Sequence, residues 1–118
     1  MDASELDVIL QRGEVRNIEI KGACAFEHDM RPHLAVSIGA MANTPAGATV
    51  VIGVENTTWT VQGLSDKQVA SFDATMISQY LKARLNPLPR VIVERVHYLL
   101  RDQYYSFKFL NSRTSPLS

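Results

Sequence analysis

Apolar and polar positions along this chain change period several times, and each change marks an element. Leu6, Ile9 and Leu10 recur at helical spacing, with Ser4 ahead of them as a cap and Gly13 behind as a left-handed stop, which predicts a short helix through Arg12. From Val15 to Lys21 the period becomes two. Ile18 and Ile20 face one way and Asn17, Glu19 and Lys21 the other, the pattern of a half-buried strand on which Glu19 and Lys21 share a face. Gly22 to Glu27 reads as a loop. Asp29 and Pro32 open a second helix with Leu34, Ile38 and Met41 along one side, ending near Asn43. Beyond the turn residues Thr44-Pro45-Ala46-Gly47, the run from Ala48 to Val54 lacks alternation, which predicts a central strand covered on both faces.

The second half continues in the same way. Glu55 to Thr58 turns the chain into a short predicted strand, Trp59 to Gln62, forming a hairpin with its predecessor and closed by Gly63. Ser65 and Gln68 have capping-box spacing, and Val69, Phe72, Met76, Tyr80 and Leu81 predict the longest helix, running to Leu85 with that stripe in the core. Asn86-Pro87-Leu88-Pro89 stops it. Two strands then follow, Val91 to Leu99 and Tyr104 to Leu110, paired antiparallel about the turn Leu100 to Gln103. Residues 111–118 hold little to bury and are expected to be a flexible tail or the start of a linker. The order αβαββαββ predicts an α+β domain over residues 1–110, a mixed sheet with helices mainly on one side.

Composition narrows the class. With 118 residues, 46% hydrophobic and 20% charged, the chain has material for one core and is not of disordered type. No apolar run approaches the roughly 20 residues that cross a bilayer, and the first residues are acidic where a secretory leader is basic. The single cysteine, Cys24, has no partner for a disulfide and gives no metal-ligand spacing, so a cytoplasmic location without membrane association is expected. Net charge is zero, yet residues 1–30 hold seven acids against three bases and residues 81–118 hold two against seven. That separation permits a basic patch for phosphates within a neutral chain.

Three groups of residues carry candidate chemistry. Glu14 opens the first strand, Glu19 lies within it and Glu55 ends the buried one. If those strands are neighbours, the three carboxylates could surround a divalent cation, with Lys21 beside them to offset phosphate charge. The same spacing suits solvated strand-end carboxylates with a local ion pair. On the last hairpin, Arg95 and His97 alternate with Val96 and Tyr98, and Lys108 stands between Phe107 and Phe109, the interleaving used by nucleic-acid platforms and also produced by any sheet with one wet side. Asn43 to Gly47 could present backbone N–H groups to an anion or be a plain helix stop. There is no GxxxxGK[ST] and no GxGxxG, so neither a P-loop nor a dinucleotide site is supported.

The linked string Glu14, Glu19-Ile20-Lys21, Ala40-Met41-Ala42-Asn43-Thr44, Gly47, Val51-Ile52-Gly53-Val54-Glu55 and Val61-Gln62-Gly63-Leu64 resembles the Schlafen AlbA-like domain over roughly residues 13–110. The resemblance implies a DNA-binding module of the kind found in bacterial transcriptional regulators, also called a divergent ATPase. It also implies kinship with nucleases that hold Mg²⁺ or Mn²⁺ on an acidic trio, to which Glu14 and Glu19 correspond. Glu55-Asn56 stands where that family usually has two aspartates, and Ala46 replaces the first glycine of its usual pair. Three expectations follow. The first is nucleic-acid binding (DNA or RNA) by Lys21, Arg95 and Lys108 without catalysis and with no certain cofactor. The second is a metal-dependent ribonuclease using Glu14, Glu19 and Glu55 as catalytic and metal-binding residues. The third is an assembly domain that forms a homodimer through a sheet edge or the long helix.

Overall fold

The computed structural model describes residues 2–12, 17–41 and 47–113. Eight elements follow one another among them: α1 (Ala3–Arg12), β1 (Ile18–Lys21), α2 (Met30–Met41), β2 (Ala48–Ile52), α3 (Asp66–Ser71), α4 (Ala74–Lys82), β3 (Arg90–Leu100) and β4 (Gln103–Arg113). The strands form one mixed sheet in the order β1-β2-β4-β3, with β1 and β2 parallel and the other pairs antiparallel. The α+β class and the mixed sheet are as expected, and the predicted central strand is β2, between β1 and β4.

β2 is apolar except for Thr49, whose hydroxyl donates to Asn111 Oδ1 at 2.8 Å, because it supplies two cores. Val50 and Ile52 pack on one face of the sheet with Leu34 and Ile38 of α2, Val69 of α3 and Ile77 and Leu81 of α4. Val51 packs on the other face with Leu6 and Ile9 of α1, Ile20, Val96, Phe107 and Phe109. Helices thus lie mainly on one side, with α1 alone on the other, where the Tyr98 hydroxyl donates to Asp7 Oδ1 at 2.6 Å and ties α1 to β3. No helix among the described residues is long and apolar enough to cross a membrane.

Several local expectations need correction. The α1 cap is Asp2, whose Oδ1 accepts the Glu5 N–H at 3.0 Å, and Ser4 lies inside the helix. The single long helix is two. Ser65 and Gln68 do form the capping box of α3, but Phe72 leaves helical conformation (φ −88°, ψ 67°) and Asp73 caps α4 by accepting the Met76 N–H. An aspartate in mid-pattern competes with the helix by offering its own carboxylate to an N–H three residues on. The break shifts the stripe, so that Ile77 enters the core and Met76 is left 49% exposed. α2, of 12 residues, is therefore the longest helix among those described.

Residues 59–62 form no strand. They contribute only the isolated bridge Val54–Val61, followed by Leu64–Ser106. Positive φ at Trp59 (60°) and Gly63 (69°) interrupts the extended backbone on both sides. At the other end β4 runs to Arg113, so Asn111 and Ser112 pair with β2 and β3 where a tail was expected. The β3–β4 hairpin closes through Arg101 and Asp102, both at positive φ (51° and 65°), the two-residue turn whose twist matches that of the strands.

Candidate nucleic-acid interface

The register brings the three predicted cations into one row. Lys21 pairs with Ile52, Ile52 with Lys108 and Lys108 with Arg95, so a single line crosses all four strands. Residues directly opposite one another in a sheet project to the same face. The shared face is the one covered by α2, α3 and α4, since Ile52 belongs to their core. With neighbouring strands about 4.8 Å apart, Lys21 and Lys108 stand roughly 10 Å apart and Lys108 and Arg95 are immediate neighbours.

Each cation is held differently. Arg95 is the freest, its guanidinium donating to Ser106 Oγ at 3.1 Å and to the 97%-exposed Asp66 at 3.2 Å. Lys108 is half-buried, and burial pushes its pKa below the ordinary 10.5; the neighbouring Arg95 charge adds to that push and Asp73 opposes it. Lys21 is only 19% exposed, with its Nζ 3.9 Å from Glu19 Oε2. That carboxylate oxygen is itself buried and has no hydrogen-bond partner among the described residues. Other basic residues are engaged elsewhere: Arg31 lies over the Phe26 ring and Arg84 over the Tyr80 ring.

Of the predicted acidic trio, Glu19 and Glu55 lie among the described residues. Glu14 and most of the 43–47 turn lie outside them, and no group of three His, Cys, Asp or Glu side chains able to hold a metal occurs within them. Glu55 serves its own turn. Its Oε2 accepts the Thr58 hydroxyl (2.7 Å) and the N–H groups of Thr58 (2.6 Å) and Thr57 (3.0 Å). These bonds, the Thr58 hydroxyl first, lower its pKa from 4.5 to about 2. The depressed carboxyl therefore contributes to the turn fully above pH 4.5, and the contribution is lost as pH falls toward 2. An NMR titration of the Glu55 side chain is expected to show its midpoint near 2, moving back toward 4.5 in Thr58→Ala; a native midpoint of 4.5 would contradict this hydrogen-bonding.

The aromatics of the hairpin lie on the wrong face to interleave with the cations. Tyr98, Phe107 and Phe109 are buried in the core beneath α1, whereas Arg95, His97 and Lys108 project to the opposite side. The hairpin aromatic on the cation face is Tyr104, two same-face positions beyond Lys108 and the first residue of the predicted last strand. Its parity with Ser106 and Lys108 was the available signal. Cys24 is half-buried with its thiol pKa pushed above 9.0, chiefly by burial, the behaviour of an unreactive thiol.

No curated protein matches the chain in sequence. Among solved structures, the DIP2311 protein from Corynebacterium diphtheriae superposes with a TM-score of 0.57 at 16% identity, over 95% of this chain and 25% of that one, a likeness of fold. This chain thus corresponds to about a quarter of that protein's length. The family described as Schlafen, AlbA_2 matches residues 14–106, from before β1 to within β4. That match takes in most of the chain, including Lys21, Arg95 and the Gly53 and Gly63 turns, and the chain belongs to the Schlafen AlbA_2 family.

Proposed function

We propose that this domain binds nucleic acid by neutralising backbone phosphates, as one part of a transcriptional regulator. The observation that carries the reading is the single row of Lys21, Lys108 and Arg95 on one sheet face. Family membership agrees with a nucleic-acid-related role. Phosphate contacts of this kind supply affinity with little sequence readout.

The test is a salt titration of a fluorescent oligonucleotide by anisotropy. Three phosphate contacts predict a log–log slope of about −2 to −3, and Lys21→Gln, Arg95→Gln or Lys108→Gln should each reduce it by about one. Absence of binding at ~20 mM salt, where this term is strongest, would remove the proposal. Binding without cleavage is favoured by the engagement of Glu55 in its own turn. The same oligonucleotide incubated with Mn²⁺ is expected to emerge intact, and cleavage abolished by Glu19→Gln would transfer the reading to a nuclease.

A further inference from the structure

Beyond the cation row, the β3–β4 ribbon runs on toward its turn. The residues facing the same side as Lys108 and Arg95 are first Ser106 and His97, then Tyr104 and Leu99. Tyr104 is 77% exposed, the highest value among the large hydrophobic side chains described, and Leu99, directly opposite it, is 53% exposed. His97 is exposed between this pair and the cations, and Arg101 is exposed at the turn. Tyr105, one residue on, faces the other way and is half-buried, its hydroxyl donating to Gln103 Oε1. A lone exposed aromatic needs no explanation, but an aromatic with an aliphatic neighbour in line with a row of cations forms a surface with two chemistries. From Tyr104 to Lys108 is four residues of strand, roughly 14 Å, a span that a short run of unpaired nucleotides covers.

We propose that Tyr104, flanked by Leu99, is a stacking seat for an unpaired base, so that the domain prefers single-stranded nucleic acid to duplex. This rests on the phosphate-binding reading of the cation row and assigns its ligand class. Charge complementarity selects the occupant: phosphates seated on Arg95 and Lys108 carry the following bases toward the ring. A ring exposed on the ribbon can stack only on a base with an open π-face, which a duplex does not offer away from its ends.

The experiment measures anisotropy with a single-stranded oligonucleotide and with the same strand annealed to its complement. For the native domain, single-strand binding is expected to be about tenfold tighter than duplex binding. Tyr104→Ala should lose about tenfold on the single strand, leaving duplex affinity and the salt slope unchanged, while Tyr104→Trp retains the preference. Lys108→Gln, by contrast, should weaken both. Equal losses on single strand and duplex in Tyr104→Ala, or no loss on either, would overturn the stacking seat while leaving the cation row standing. Failure of the native domain to bind either would overturn the cation row, and the seat with it.

Discussion

Changing Lys21, Arg95 and Lys108 together to glutamine is expected to lower oligonucleotide affinity about 100-fold at low salt while the domain stays folded. A charged contact to phosphate contributes about 1.5 kcal/mol or more, near tenfold in affinity. Three such contacts with neighbours as close as Arg95 and Lys108 add less than independently, which brings the product down to about 100-fold. The stability side follows from the same environment. Lys108 sits with its pKa depressed by burial and by Arg95, so the unfolded chain binds that proton more tightly than the folded one. Stability therefore rises as pH climbs through the depressed pKa toward 10.5, and Lys108→Gln should be neutral or stabilising at pH 7. Arg95 gives up an exposed ion pair with Asp66 and an exposed hydrogen bond to Ser106 Oγ, each worth about 1 kcal/mol at most. Urea unfolding and anisotropy on the triple variant check both halves. Affinity within about threefold of native would show that phosphates are bound elsewhere.

A lysine that costs folding free energy, kept in line with two other cations, is a conflict between local and global requirements of the kind expected at a functional surface. How much of that surface could be read beforehand divides along a physical line. Alternation placed Glu19 and Lys21 on one face, and Arg95 and His97 likewise, because strand parity is a property of the backbone alone. It could not place Lys21 in register with Lys108, since the two are joined only through β2 by pairings distant in sequence. Nor could it say which face of the hairpin is wet. Both faces of the sheet carry a core, so Tyr98 and Phe107 read equally well as platform or as interior. The helix break at Asp73 was hidden because an aspartate is compatible with a helix interior until its carboxylate captures the Met76 N–H. Glu55 shows the same limit, since spacing alone did not reveal that Thr57 and Thr58 engage its Oε2 within its own turn.

Gly53→Ala is expected to destabilise the domain by about 3 kcal/mol, lowering the melting temperature by about 12 °C. Gly53 has φ +124°, which a side chain rarely adopts, and an added Cβ would stand 2.6 Å from Cδ1 of the fully buried Phe107. Strain and overpacking each cost about 1–3 kcal/mol, and Phe107 is fully buried in the core beneath α1. The position bears on the proposed binding because the Gly53 N–H donates to the Lys21 carbonyl at 2.9 Å and its own carbonyl accepts the Gln62 and Gly63 N–H groups. Those bonds fix the end of β1, where the first cation of the row is mounted. Gly22→Ala is the comparison: its Cβ would meet only Gln62 Oε1 at 3.2 Å, the end of an exposed side chain held by one hydrogen bond from the Ala23 N–H, and a loss of about 1 kcal/mol or less is expected. Denaturant unfolding of the two variants reads the difference, and a Gly53→Ala domain no weaker than Gly22→Ala would mean that the β2 end yields where its packing says it is rigid. In the expected case, residual binding by Gly53→Ala at a temperature where it is still folded should show a loss at Lys21 first, because that contact alone is anchored through the Gly53 amide.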